Sequence, residues 1–492
     1  MIQKILIAVV LSFVFLTALG QEADKRGWEV TPPKPYQGKL NSLALLNIRN
    51  AELDTVIEGL QSPWAMEFVN PDELLMTEFA GRLLRVNLKT GEKTVISGVP
   101  VVANDRQQTG LLDVELHPDF ENNQRLYLSY SQADPDSGKY YLTAVATALL
   151  KDDALEELEV IVEAGPHGWS PSNFGGALEF DNSGHLYVSI GDRSEVGFVQ
   201  DPARFEGKIL RMNDDGSAPA DNPFADVAAT RGLVYALGVR NPQGLYFDWV
   251  SGRLFESEHG PKGGDEVNVI EAGANYGWPD VSYGLNYTWQ PFPHGTHKEG
   301  TQQPLYHYLP SRGISSIEMY RGDMFPEWDG DLLVAALRGH NLSRLDLDGD
   351  VVRSETPFLN EVNRRIRDLK VAEDGSIYIL AEQEPDNPTG GVLLRLHRSA
   401  AEPIVEAPTA GKDVYEMVCA GCHDVGAADA PRLGVQEDWL EILRQPRSLT
   451  LERTLEGYQG MPARGLCYIC NDQHLESALD YMLEQSSEKP AN

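Results

Sequence analysis

The chain is short of positive charge. Against 74 aspartates and glutamates it sets only 41 lysines and arginines, a formal net charge of −33 over 492 residues. That balance excludes the basic patches that nucleic acid or an anionic lipid surface requires, and it predicts high solubility and partners with basic faces. Cysteine is also scarce. There are four in all and none precedes Cys419, so thiol chemistry is confined to the last part of the chain. Long apolar runs are absent except at the start, where Ile5 to Leu16 follows Lys4 and leads to Ala18 and Gly20. A positive residue, a short apolar run and small residues have the form of a secretory signal, expected over residues 1–20. A membrane anchor is the competing reading, but the run is short for a span and no basic flank follows it. No other segment could cross a bilayer as a helix. Export to the periplasm suits cysteines that can pair in an oxidising compartment.

What is present is ordinary globular material, with 42% hydrophobic and 23% charged residues. The length predicts two or three domains. Residues 21–50, with Pro32, Pro33 and Pro35, read as an extended lead-in. From 51 to 398 one hairpin recurs six times: an alternating apolar strand, a turn rich in Pro, Asp, Asn and Gly, then a second strand ending in small residues. The copies start at Trp64, Leu112, Ala177, Gly244, Ile317 and Ile366. Six copies predict an all-β, six-bladed β-propeller, because one small sheet cannot bury both faces alone and blades stack around a channel. A pair of β-sandwiches is the rival, but it would not produce six similar hairpins. Asp54–Ile57 and Gly391–Leu396 are placed to pair and close the ring, which would hide both edges.

Residues 399–411 form a linker of small residues and prolines with a reach of about 45 Å. From 412 to 492 the pattern is helical, predicting a small all-α domain. It contains Cys419-Ala420-Gly421-Cys422-His423, the C-x-x-C-H spacing of covalent haem attachment. Cys419 and Cys422 stand one helical turn apart to bind the porphyrin, and His423 offers an imidazole to the iron. A redox C-x-x-C would sit near a βαβ pattern, and none is here. A zinc site would need four ligands, for which Cys467 and Cys470 are available. Met461, an isolated methionine in a Gly/Pro loop, is the candidate sixth iron ligand. Met417 and Met482 lie on helical patterns and read as core.

Gly460-Met461-Pro462, Leu466-Cys467-Tyr468-Ile469-Cys470 and Ala430-Pro431-Arg432-Leu433 make residues 412–485 similar to the short bacterial cytochromes c of the c-five class. The resemblance implies His423 and Met461 as axial ligands, a Cys467–Cys470 disulfide, and the Pro431 carbonyl holding the proximal histidine. The propeller segment resembles the glucose/sorbosone dehydrogenase family, soluble aldose sugar dehydrogenases that use pyrroloquinoline quinone (PQQ). The segments that carry this are Gly110–Val114, Phe174-Gly175-Gly176, Gly207–Arg211, Asp221–Phe224, Arg240–Gly244, Glu258–Pro261, Gly263–Glu266, Asn275–Pro279 and Arg365–Asp368.

That resemblance implies Gln108, Arg240, Asn241, Arg338, Arg365 and Arg367 around the quinone. It also implies Ca²⁺ bound by the carbonyls of Gly260 and Pro261, oxygen donors of the kind a hard cation takes. The catalytic positions are Arg240 and Asn173, the latter standing where the family has its histidine base. Ala177 replaces a family arginine, and Arg338 a family lysine. A carboxamide cannot take a proton, so His167 is a candidate substitute, with His294 and His297 in a loop between blades behind it. The expected function is a periplasmic quinohaemoprotein dehydrogenase. It would oxidise a sugar or related alcohol or aldehyde and pass electrons to its own haem and then to a downstream redox carrier, without membrane insertion. The alternative is a non-catalytic propeller that binds a ligand and carries an electron-transfer cytochrome.

Overall fold

The computed structural model describes residues 51–104, 108–382, 390–398, 410–426, 430–458, 461–467 and 470–487. The expected signal, the lead-in, nearly all of the linker and Gly460 lie outside the described residues. Among the described residues no helix is long and apolar enough to cross a membrane.

Six four-stranded antiparallel sheets form the larger body. Their first hairpins are the six copies read from the sequence. They comprise Pro63–Asn70 with Glu73–Glu78, Leu111–Leu116 with Arg125–Ala133, and Gly175–Phe180 with Leu186–Ile190. Pro242–Asp248 with Arg253–Glu258, Ile314–Met319 with Leu332–Ala336, and Ile366–Val371 with Ile377–Ala381 complete the set. We call the sheets blades 1 to 6 in that order. The first strand of each blade packs against the first strands of both neighbours, so the six enclose a channel. The ring closes as expected: Ala51–Leu60 pairs antiparallel with Gly391–Arg398, which puts the start and the end of the propeller in blade 6.

The core lies between blades. Leu75, Leu83 and Ile96 of blade 1 pack on Val114, Leu126 and Leu128 of blade 2. Leu333, Leu342 and Phe358 of blade 5 pack on Leu369, Ile377 and Ile379 of blade 6. Tyr378, Leu380 and Leu393 of blade 6 meet Met66, Leu74 and Met76 of blade 1. Period-2 alternation therefore buries both faces of each sheet, one against each neighbour. The longer turn of blade 5 folds in on itself, where fully buried Trp328 stacks on Phe325 at 4.8 Å.

The C-terminal region is helical. One helical run, Gly411–His423, includes a wider π turn at Tyr415–Cys419. Helices Gln436–Leu443, Arg447–Glu456 and Asp472–Ser486 follow. The last begins with Asn471 accepting from the His474 amide at 3.0 Å, a side-chain cap for an otherwise orphaned donor. Val414, Leu475 and Ala478 form one small core, and Tyr415, Trp439 and Met482 a second.

Candidate active site and haem-attachment site

Topology decides which residues meet. In an antiparallel hairpin the residue before the first strand and the residue after the second share an end. Repeated six times, this gathers one set of side chains on one rim of the channel. Gln108, Asn173, Arg240, Asn241 and Arg365 precede or begin first strands, and Arg367 is the second residue of its strand. Asp192, Glu258, His259, Arg338 and Glu382 follow or end second strands.

The rim is a connected polar network. The Asn173 amide donates to Gln108 Oε1 at 2.9 Å, and its Nδ2 donates to Asp192 Oδ1 at 2.8 Å. Asn173 sits at φ +56°, a left-handed conformation that asparagine tolerates better than most residues. Asp192 is 1% exposed and also accepts from the Ser194 amide at 2.8 Å and Trp278 Nε1 at 2.9 Å. Next around the ring, Arg240 donates to the carbonyls of His259 at 2.7 Å and Gly260 at 3.0 Å and to the Tyr287 hydroxyl at 3.2 Å. Its Nε is buried without a partner. The backbone amides of Arg240 and Asn241 both donate to Glu258, whose carboxyl burial pushes up to about 7. His259 is held down to about 4 by burial against the pull of Asp265, so its ring is neutral at pH 7, and its Nε2 is buried and unbonded.

On blade 6, Arg365 and Arg367 project from the same face, as alternation requires, and share one carboxylate. Arg365 Nε donates to Glu382 at 2.7 Å and Arg367 Nε at 2.8 Å. Arg367 is 8% exposed and lies over the Trp64 ring at 3.8 Å, a cation–π contact. Gly260 allows no side chain: a Cβ there would stand 2.2 Å from the Gly264 carbonyl oxygen. The Gly260 carbonyl, expected to face a cation, here accepts from Arg240.

Arg338 follows the second strand of blade 5 and is exposed. Ala177 is buried in the wall of the channel. His167 is the penultimate residue of the outer strand of blade 2 and faces Asp134 at 3.9 Å. His294 and His297 are exposed, and their segment lies inside blade 4, between its third and fourth strands, and not between blades. Sequence reasoning missed Asp192 and Glu382, and it gave Glu258 only as part of a segment that carries the resemblance, without a role. The signal was in the repeat, since an acidic residue ends or follows the second strand in blades 1, 3, 4 and 6, at Glu78, Asp192, Glu258 and Glu382.

In the helical region Cys419 is partly buried and Cys422 exposed, and neither is in a disulfide. His423 is 8% exposed, and its Nδ1 donates to the Pro431 carbonyl at 2.8 Å, which fixes the ring and turns Nε2 outward as an acceptor. Trp439 flanks it at 6.0 Å between centroids and anchors the same segment through Nε1 to the Arg432 carbonyl at 2.7 Å. Met461 is pinned by reciprocal backbone bonds with Tyr458, both 2.9 Å. A Cβ on Gly465 would lie 3.9 Å from Met461 Cε and 4.0 Å from Val418, which places the thioether beside the helix of the attachment motif. Cys467 and Cys470 form a disulfide packed on Val414 and Leu475.

A propeller whose rim carries Arg240, Arg365 and Arg367 thus precedes, in one chain, a small helical domain with a C-x-x-C-H cysteine pair and an oriented imidazole. The chain belongs to the Glucose / Sorbosone dehydrogenase family, whose match covers residues 60–395. Residues 406–482 match the family described as Cytochrome C oxidase, cbb3-type, subunit III, a cytochrome c domain that implies haem. The propeller is similar to the aldose sugar dehydrogenase YliI of Escherichia coli, 35% identical over 350 residues, covering 70% of this chain and 92% of that protein. It is also similar to the PQQ-bound aldose sugar dehydrogenase of Streptomyces coelicolor. That likeness has a TM-score of 0.59 and 26% identity and covers 70% of this chain and 98% of the other. The helical domain is similar to cytochrome c-555 of Chlorobaculum tepidum, 33% identical over 81 residues, covering 16% of this chain and 75% of that protein.

Proposed function

We propose that this protein is a periplasmic quinohaemoprotein dehydrogenase. It oxidises a sugar or related alcohol or aldehyde at the propeller rim with PQQ and Ca²⁺, and it passes the electrons to its own haem c and then to a downstream carrier. The observation that carries this reading is the convergence of Gln108, Arg240, Asn241, Arg365 and Arg367 on one rim. The rim fits an anionic quinone. Arg365 and Arg367 already hold a carboxylate, that of Glu382, and planar guanidinium forks suit the carboxylates of such a ligand. Arg240 Nε and His259 Nε2 are buried polar atoms without partners, which a bound polar ligand would satisfy. When bound, the quinone supplies a two-electron acceptor. Arg240, Arg365 and Arg367 hold its charge, Asn241 and Gln108 orient it, and the carbonyls of Gly260 and Pro261 offer oxygen to the cation once Arg240 releases Gly260. His423 and Met461 are the axial iron ligands, and Cys419 and Cys422 the covalent anchors. The tether keeps the haem at millimolar effective concentration, so electrons need no diffusional encounter.

The alternative, a ligand-binding propeller without catalysis, draws on Asn173. Its Nδ2 is spent on Asp192, and a carboxamide cannot accept the substrate proton. The two readings part in one experiment. The purified holoprotein is titrated with PQQ and Ca²⁺, and haem reduction is followed by absorbance after adding a panel of aldoses and alcohols. Substrate-dependent reduction supports the dehydrogenase. Absence of both quinone binding and reduction overturns it, and quinone binding without reduction favours the non-catalytic module.

A further inference from the structure

The strands that close the ring carry a group of side chains outside the rim chemistry. Glu52 and His397 stand directly opposite each other across Ala51–Leu60 and Gly391–Arg398. Asp54 lies two residues along, on the same face as Glu52. One carboxylate oxygen from each acid and one ring nitrogen of His397 all lie within 4.8 Å of one another. The two acids are exposed, while the imidazole is largely covered, with 14% of its side chain accessible.

The tautomer of His397 makes this contact informative. Its Nδ1 lies 3.1 Å from the Arg398 backbone carbonyl, which can only accept, so this contact is a hydrogen bond when the hydrogen is on Nδ1. A neutral ring then presents a lone pair at Nε2. That lone pair faces Asp54 Oδ2 at 2.8 Å, a second acceptor. Two acceptors at this distance need positive charge beside them, either a second proton on the ring or a bound cation. Glu52 weighs the choice, because even a protonated ring leaves the trio with net negative charge. The neighbouring guanidiniums are engaged elsewhere. Arg395, directly across from Asp54, donates to Asp374 at 2.6 Å and to Ser376 at 3.1 Å, and Arg398 pairs with Glu327. Among the described residues no lysine or arginine pairs with Glu52 or Asp54.

We propose that Glu52, Asp54 and His397 bind one divalent transition-metal ion of the zinc type, which clips the first strand of the propeller to the last. One imidazole nitrogen and two carboxylate oxygens, with water in the fourth position, suit Zn²⁺. The Nδ1–H bond to a backbone carbonyl is the outer contact that orients a metal-bound histidine. Ligand atoms around tetrahedral zinc stand about 3.3 Å apart. The exposed acids need only side-chain rotation to reach that spacing. Because the ligands come from both ends of the propeller sequence, the ion binds the closed ring and not the unfolded chain, and so stabilises closure.

The test uses the full-length, tag-free holoprotein stripped with a chelator and titrated with zinc chloride by calorimetry, with thermal unfolding recorded before and after. The expected result is one saturable zinc site and a rise in the unfolding temperature of the propeller. Both are lost in His397→Gln and in the Glu52→Gln/Asp54→Asn double variant, while the haem spectrum is unchanged. Equal zinc binding by wild type and variants overturns the proposal, as does the absence of saturable binding in the wild type. A drop in unfolding temperature for His397→Gln, with zinc leaving the wild type unmoved, overturns it in favour of an imidazolium–carboxylate pair.

Discussion

At position 173 a carboxamide stands where a proton acceptor would serve the chemistry. Asp192, buried and held by amide and indole donors, already waits behind it as an orienting carboxylate. A histidine there would donate one ring N–H to Asp192 and present the other nitrogen as a base, the pairing of base and orienter that general-base catalysis uses. Asn173→His is therefore expected to raise aldose-driven haem reduction by roughly 10²-fold or more, within the range general bases supply. Stopped-flow turnover with PQQ and Ca²⁺ checks it, and an unchanged rate would place the proton acceptor elsewhere. Arg367→Met should act on binding. It removes a cation stacked on Trp64 and leaves Glu382 short of a partner. Quinone affinity should fall at least tenfold in the reconstitution titration, and the propeller should lose on the order of 3 kcal/mol, the scale of breaking a largely buried pair. Arg365 and Arg367 were legible from the sequence because alternation alone puts them on one face. Their partner Glu382 was not, because it lies fifteen residues past Arg367 and reaches it only through the hairpin.

The elements differ in how plainly they announced themselves. All six hairpins were readable, since alternating apolar strands and Pro, Asp, Asn or Gly turns act locally. Helix Arg447–Glu456 was missed. It buries none of its residues fully, and it is held from outside by Arg447 Nε to Asp480 at 2.6 Å and by a second contact from Arg447 to Glu476 at 2.9 Å. Without an apolar stripe there was no period to read. In the proposed reading the Met461 loop supplies the ligand that tunes the haem. A thioether ligand raises the potential, so Met461→His should lower the midpoint potential measured by spectroelectrochemistry. An unshifted potential would remove Met461 from the iron. The disulfide behind that loop closes a very short ring, so Cys467→Ser with Cys470→Ser should cost the helical domain about 2 kcal/mol by the loop-entropy relation, read from its own unfolding transition.

At the scale of the whole molecule, the described residues that line the channel hold more acid than Lys370 and Arg367 can answer. Asp113, Glu115, Glu179, Glu318 and Asp368 line it with Lys370, whose Nζ lies 2.6 Å from Glu67. Burial raises Asp113 to about 7 and Glu318 to about 8, and Glu115 and Glu179 well above the usual carboxylate range. The folded state therefore keeps protons that the unfolded chain would release above pH 4.5. A raised carboxyl contributes full stability below its unfolded value, and this is lost as pH climbs through the folded one. The propeller should unfold at lower temperature at pH 8 than at pH 5, and Glu318→Gln should flatten that slope. A slope unaltered by Glu318→Gln would mean that the channel carboxyls stay ionised.

The sequence by itself determined the hairpins, the number of blades and the haem motif, because each rests on contacts within a few residues along the chain. Only the tertiary structure decided what the acids do. In a strand, Glu115, Glu179 and Glu318 look like solvent-facing polar positions. Closing the ring turns that face inward and collects carboxylates from separate blades into one low-dielectric channel. The same closure joins Glu52 to His397 and gathers the rim from five blades. Local pattern specifies which way a side chain leaves its strand. Which other side chains it then meets depends on a ring completed across more than three hundred residues.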